Sequence, residues 1–455
     1  MRKIERGHLR VIREDRVHEF PDPRDDEDGH KAELRVLDDA FWLRLCLMGD
    51  LGFSEAYMYS EVQCDDLVSL FMIFLDNREN LVNLDSRLSY LYTLPQKLTS
   101  YRFLNTIGNS RSNISAHYDI SNAMFAGFLS KDMTYSCAIF SDLDGDLGTC
   151  SSPSSRPRRD GTSISSGSST PAKVQGDEED VNDLYEAQIR KLDHIIKKAR
   201  ILPGNRILEI GSGWGSLAIR IAQSVPDTTI DTITLSSQQL LLAEQRIAAE
   251  GLSHRIRVHL MDYREMPPEW EHTFDRVVSI EMLEAVGREF IPVYFAKLDW
   301  ALKLKDACGV IQCITIPEAR FERYIREVDF IRKWIFPGGF LPTLTFLLEC
   351  LATGSFGRLT VDSVSNIGPH YARTLREWRK RFLDRFDSVI EPALRQEHPE
   401  VMSGPRGDVE VEVFKRKWNY YYCYCEVGFT TRTLGDHIVT FTREGFQEYG
   451  CETFA

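Results

Sequence analysis

A run of glycines and two acids are the residues of this chain best placed to do chemistry. Residues 206–217 read RILEIGSGWGSL. Arg206 to Ile210 is a short β-rich run, Gly211-Ser212-Gly213-Trp214-Gly215 turns the chain, and Ser216 opens a helix. A strand, a glycine turn and a helix N-terminus make a nucleotide-binding corner. Glycine lets the backbone approach a ligand, and the amides of the first helical turn favour polar or anionic groups. The spacing is GxGxG, not the GxGxxG of dinucleotide sites. Glu209, one step before the turn, is suited to orient loop amides or a cationic ligand end. The combination favours S-adenosylmethionine over NAD, with a bland glycine-rich αβ corner as the alternative. The second acid, Glu284, follows the apolar run FDRVVSI. A carboxylate at the C-terminal end of a strand is costly to bury idly.

The elements that must position these groups alternate regularly. Thr229 to Leu235 reads as a second strand and Ser237 to Glu250 as its helix, closed by Gly251. Ile256 to Leu260, Phe274 to Ile280 and Gly309 to Ile316 read as the next three strands, with a helix around Arg288 to Leu304. Strands alternating with helices imply an α/β fold with a doubly wound, mostly parallel sheet. Ligands in such sheets bind beyond the C-terminal strand ends. Here those ends are Gly211 to Gly215, Leu235-Ser236, Asp262-Tyr263, Glu281 to Glu284 and Gln312 to Ile316. Glu426 to Thr431 and His437 to Thr442 read as a closing antiparallel pair.

Upstream, AELRVLDDAFWLRLCLMG reads as a helix from Ala32, stopped by Gly49, with a second helix over Cys64 to Leu75. Residues 1–100 would form a small N-terminal domain for packing, dimerisation or lipid handling. The rest, 101–455, would be the catalytic domain. Within 101–140, Asn113 to Asn122 and Met133 to Phe140 are dense in His, Tyr, Asp, Ser and Cys, the texture of a site-forming lid. His117 alone reads as a structural histidine. Residues 143–182 are rich in Ser, Pro, Gly and charge, with almost no large apolar side chains, and so read as a disordered insertion. From 183 to 201 an amphipathic helix leads into the glycine corner.

With 455 residues the chain is long enough for two to three domains. A net charge of −13 argues against nucleic-acid binding. The ten cysteines form no CxxC pair and no metal-ligand spacing, so free thiols are expected. The charged N-terminus carries no apolar run, and Trp334 to Leu351 is interrupted by Pro337, Gly338, Gly339 and Pro342. A soluble, cytoplasmic protein is the expectation.

Several segments together resemble one family. They are LEIGSGWG, the TLSSQQ that replaces the usual ribose-binding acid, MDYR at 261–264, FDRVVSIEMLEAVG at 274–287, QCITI at 312–316 and DFIRKWIFPGG at 329–339. With MTYSC, WNYYYCYCEVGF and the N-terminal AELRVLDDAFWLRLCLMGDLGFSEAYM, they are similar to the cyclopropane-fatty-acyl-phospholipid synthases, which include the mycolic acid cyclopropane synthases. The resemblance implies a class I S-adenosylmethionine-dependent methyltransferase fold, acting on cis double bonds of phospholipid acyl chains. The methyl group would produce a carbocation, and proton loss to a bound bicarbonate would close a cyclopropane.

The resemblance places the bicarbonate on Cys137, Glu284, Gln312, Ile314 and Tyr421. It places the cofactor on Tyr135, Ser136, Glu209, Gly211, Ser212, Gly213, Leu235, Gln239, Asp262, Tyr263 and Arg264. Gln239 would reach the ribose and Tyr263 the adenine. Two departures stand out: Ala285 where many members carry His, and Gln312 where some carry a His on the bicarbonate. An amide can hydrogen-bond an anion but offers no titratable group. The partner would be the membrane surface, with Trp334 to Leu351 helping form an acyl channel. A homodimer is possible, and the basic helix Arg373 to Arg385 would present a solvated charged face. A methyl-branched product, a small-molecule methyltransferase and a silent lipid-binding protein are the alternatives.

Overall fold

The computed structural model describes residues 3–21, 29–81, 121–147 and 176–446. Asn113 and His117 lie outside the described residues, as does the middle of the expected insertion.

The N-terminal part begins with strands rather than a helix. β1 (His8–Arg13), β2 (Arg16–Phe20), β3 (Lys31–Val36) and β4 (Val62–Cys64) form a sheet in the order β2-β1-β3-β4. The expected helix from Ala32 is corrected here. Ala32, Leu34 and Val36 are buried while Lys31 and Arg35 are exposed, which is the period of two of a half-buried strand. The helix starts at Ala40 instead, and α1 (Ala40–Met58) breaks at Gly49, whose φ is 56° and ψ −130°. The second helix, α2 (Leu67–Asp76), is capped by Asp66, whose carboxylate accepts the Val68 and Ser69 amides.

After α3 (Asn122–Phe128) and α4 (Gly176–Lys198) comes the second sheet. Its strands are β5 (Arg206–Ile210), β6 (Thr229–Thr234), β7 (Ile256–Leu260), β8 (Arg276–Ile280), β9 (Cys308–Thr315), β10 (Leu359–Asn366) and β11 (Gly435–Arg443). The order is β10-β11-β9-β8-β5-β6-β7, with β5 to β9 parallel and β11 antiparallel to both β9 and β10. Helices cover both faces, which is why β5, β8 and β9 are almost wholly buried and mostly apolar. This is the expected doubly wound sheet.

Two expectations about the later chain change. His437 to Thr442 is a strand, but its antiparallel partners are β9 and β10, because residues 426–430 complete a long helix, α11 (Gly407–Thr430). The segment WNYYYCYCEVGF is therefore helical, and it stacks aromatic rings instead of pairing backbone. The basic helix over Gly368–Asp384, designated α10, is packed rather than solvated. Arg373 is buried over the Phe140 ring and bonds Asp183, and Arg376 donates to Asp146 Oδ2 at 2.6 Å. Those bonds also order residues 142–146, and α4 starts at Gly176. Structure thus enters the expected insertion from both sides.

The N-terminal part packs on α11. Arg416 donates to the carbonyls of Tyr57 and Val62, Asn419 donates to the Tyr57 hydroxyl, and Phe71 meets Tyr420 edge-on at 5.1 Å.

Candidate active site

The glycine corner forms as its sequence requires. Gly211, Gly213 and Gly215 all have positive φ, at 100°, 50° and 84°. The amides of Gly211 and Ser212 both donate to the Ile233 carbonyl at 3.0 Å, pinning the turn to β6. Thr232 donates to Ser212 Oγ at 2.9 Å, and Trp214 Nε1 donates to Asn122 at 2.7 Å. Glu209 is buried, and desolvation pushes its carboxyl up to about 8. Its Oε2 has no hydrogen-bond partner.

The other expected cofactor residues surround this corner in different states. Gln239 is buried on the first turn of the helix that Ser236 caps, and its Oε1 accepts a bond from Thr234 at 2.8 Å. Leu235 links β6 to that cap. Asp262 is engaged by Arg264: its Oδ1 accepts both the backbone N–H and Nε at 2.8 Å. Tyr263 packs edge-on against Tyr294 at 5.1 Å, and its buried hydroxyl has no partner. Ser136 is fixed by buried Lys191, whose Nζ donates to its Oγ at 2.6 Å, and by Gln188, which donates to its carbonyl. The left-handed Gly213 faces open space, and two buried polar atoms, Glu209 Oε2 and Tyr263 OH, are unpaired beside the strand ends. These residues fit a nucleoside ligand with a cationic end.

Beyond β8 and β9 lies a second polar cluster. Glu284 Oε1 accepts the Ile314 amide, and its Oε2 is buried without a partner. Burial and the neighbouring Glu281 push its carboxyl up to about 8. The Cys137 amide and Gln312 Nε2 converge as expected, but on Glu281. Glu281 Oε1 accepts the Cys137 N–H at 2.8 Å and Gln312 Nε2 at 2.7 Å. Its Oε2 accepts the Tyr371 hydroxyl at 2.6 Å. Gln312 also donates to Asp436 Oδ2 at 2.8 Å.

As these residues stand, they offer a bicarbonate a poor fit. The donors of Cys137 and Gln312 are taken by a carboxylate of the chain itself, and a further anion would sit against Glu281. Tyr421 is not a member of this cluster; its hydroxyl meets that of Tyr135 at 3.2 Å on the wall of the adjoining cavity. Tyr371 supplies the tyrosine donor. The Cys137 thiol, held well above the ordinary range by burial, bonds the Ala138 and Ile367 carbonyls and meets Asp436, while its amide donates to Glu281.

Sequence reasoning missed Glu281, Tyr371, Asp436 and Lys191 as site residues. Two signals were available. Glu281 is a second acid three positions before Glu284, and Lys191 lies on the apolar face that carries Leu184, Gln188 and Ile195.

From Glu281 and Glu284 a cavity of about 1070 Å³ extends along α11 to the N-terminal part. Its walls include Tyr135, Ile314, Phe336, Phe340, Tyr371, Tyr420, Tyr421 and Phe429, then Phe53, Phe71, Phe74, Leu34 and Leu45. Its volume is at the upper end of ligand sites, roughly 300–1,000 Å³.

The sequence profile of mycolic acid cyclopropane synthetases matches residues 106–437. The chain belongs to this family. It is therefore an S-adenosylmethionine-dependent methyltransferase that acts on lipids. Among relatives of this synthetase-family enzyme is the tuberculostearic acid methyltransferase UfaA1 of Mycobacterium tuberculosis, 34% identical over 90% of this chain and 82% of the relative. The cyclopropane-fatty-acyl-phospholipid synthase of Escherichia coli is 29% identical over 90% and 88%. Its fold is similar to the structure of mycolic acid cyclopropane synthase CmaA1 complexed with SAH and CTAB. That match has a TM-score of 0.54 and 26% identity, covering 73% of this chain and 97% of the other. Coclaurine N-methyltransferase, at 18% identity and TM-score 0.57, shares the fold alone.

Proposed function

We propose that this enzyme adds the methyl group of S-adenosylmethionine to a cis double bond in a phospholipid acyl chain and closes a cyclopropane ring. The observation that carries the reading is the aromatic and aliphatic cavity running from the Glu281–Glu284 pair to the N-terminal part. An unsaturated acyl chain is the ligand whose shape and polarity match a mostly apolar cavity with the Glu281–Glu284 pair at its reacting end. When bound, S-adenosylmethionine supplies an electrophilic methyl group on its sulfonium.

The residues of the chain do the rest. Gly211 and Gly213 let the ligand approach the backbone, and Glu209 meets its cationic end. The cavity holds the alkene, a weak nucleophile, close to the methyl donor and excludes the water that would trap a cation. The faces of Tyr135, Tyr421 and Tyr371 line the place where positive charge develops. Phe336 to Leu341, from the apolar stretch expected to form an acyl channel, supply one wall. The N-terminal part handles lipid by lining the distal end. No helix among the described residues is long and apolar enough to cross a membrane. The enzyme would take its substrate from the bilayer surface, with Arg320, Arg323 and Arg332 among the cavity's lining residues.

A second reading keeps the fold, the cofactor and the substrate but yields a methyl-branched chain. It is favoured by the similarity to a tuberculostearic acid methyltransferase. Purified enzyme, methyl-labelled S-adenosylmethionine and vesicles of cis-unsaturated phospholipid separate the two. Label in a ring-bearing acyl chain supports cyclopropanation, and label in a branched chain selects the second reading. Absence of label in any lipid refutes both.

A further inference from the structure

We infer that Glu281 is the enzyme's own general base, replacing an external bicarbonate with a carboxylate carried on the strand end. The inference rests on the proposed lipid reaction and deepens it.

The geometry is that of a built anion cradle. The Cys137 amide and Gln312 side chain donate to one carboxylate oxygen of Glu281, and Tyr371 donates to the other. Three donors on one carboxylate stabilise its ionised form. Burial opposes ionisation most strongly and holds the carboxyl above its ordinary range, while the three donors and buried Lys191 draw it down and Glu284 and Asp436 stand against a second charge. Of the three buried acids Glu281 alone has three hydrogen-bond donors on its carboxylate, so the charge the cluster carries is placed there, the division of labour that acids in unlike environments adopt. Backbone conformation adds an independent sign. Glu281 has φ +49°, a left-handed conformation unfavourable for a residue with a side chain. Such strain persists where a side chain must be aimed, and here it turns the carboxylate into the cavity wall.

The step balances without another reactant. One alkene carbon forms a bond to the methyl carbon as the bond from that carbon to sulfur breaks, leaving a neutral thioether and a cation on the acyl chain. A C–H bond of the added methyl then breaks. Its electron pair closes the ring, and its proton goes to Glu281 Oε2, which returns it to water between turnovers. Proton loss after a hydride shift would use the same base and leave a methylene branch.

The test compares wild type, Glu281→Gln and Glu281→Gly. Glycine is at home at this φ, so the second variant keeps the backbone and empties the cradle. Turnover is measured in buffer stripped of carbon dioxide and again with added bicarbonate, and thermal melts check folding. Carbon-13 NMR of labelled bicarbonate reads binding without any lipid. The inference predicts that stripping leaves wild-type turnover unchanged. Glu281→Gln loses at least about 100-fold in kcat in either buffer. Glu281→Gly is equally slow until bicarbonate restores it, and Glu281→Gly alone broadens the labelled signal. Wild type that slows on stripping and recovers with bicarbonate, or an active Glu281→Gln, overturns the inference. If wild type modifies no lipid, the functional reading fails. Broadening by Glu281→Gly but not wild type then upholds the cradle assignment, and broadening by wild type overturns it too.

Discussion

Tyr371 and Glu281, 90 positions apart in the chain, share a 2.6 Å hydrogen bond that ties helix α10 to the end of strand β8. The tyrosine donates, so the bond favours the ionised carboxylate. Replacing Tyr371 with Phe keeps the ring's stacking on Phe429, at 4.5 Å, and removes only the donor. The Glu281 carboxyl should then hold its proton to higher pH. The acidic limb of the kcat profile moves towards alkaline pH, with a loss of about tenfold at neutral pH. An unmoved limb would show that Tyr371 does not act through Glu281.

Glu209 predicts proton-linked cofactor binding. Its carboxyl, raised to about 8 by burial, is neutral in the unliganded enzyme near pH 6.5 and ionises when a cationic ligand end arrives. Calorimetry in two buffers of different ionisation enthalpy should show proton release on binding S-adenosylmethionine, absent in Glu209→Gln. The same shift has a stability sign. The folded state holds this proton above the unfolded value, so the stabilising contribution is present below about pH 4.5 and is lost as pH rises towards 8. Glu209→Gln should therefore flatten the decline in melting temperature between pH 5 and 8.

The glycine corner separates strain from ligand contact. A Cβ on Gly213 would find nothing within 4 Å, while one on Gly211 would lie 3.2 Å from the Met282 side chain. Gly213→Ala should cost about 1–2 kcal/mol for its left-handed φ and weaken cofactor binding at least tenfold. Gly211→Ala should lower the melting temperature further, because Met282 must also move. Equal melting temperatures with unchanged affinity would remove the corner from the cofactor site.

The far end of the cavity should set chain length. Leu45 lines it from α1, and Leu45→Trp shortens the space available to an acyl tail. Turnover on longer acyl chains should fall more than on shorter ones, with cofactor affinity unchanged. A uniform loss across chain lengths would assign the N-terminal part to packing.

Local sequence carried the nucleotide corner because strand, glycine turn and helix start are neighbours, and each glycine has the φ its position needs. The parallel sheet was legible for the same reason: its buried strands are short apolar runs between helices. The site was legible only where one segment sufficed. Glu284 and Ile314 come from adjacent strand ends, but Glu281 draws donors from positions 137, 312 and 371, and nothing local in the sequence brings these together. Lys31–Val36 was misread because its apolar spacing runs on without a break into a true helix at Ala40. Tyr421, within a run of tyrosines, occupies the cavity wall while Tyr371 serves the cluster.

The most direct test of the functional account is mass spectrometry of lipids after incubation of the purified enzyme with methyl-labelled S-adenosylmethionine and vesicles of cis-unsaturated phospholipid. The account predicts label in an acyl chain that has lost its double bond and gained a ring, and at least about 100-fold slower labelling when Glu281 is replaced by Gln. Cofactor binding without label in any lipid would contradict it.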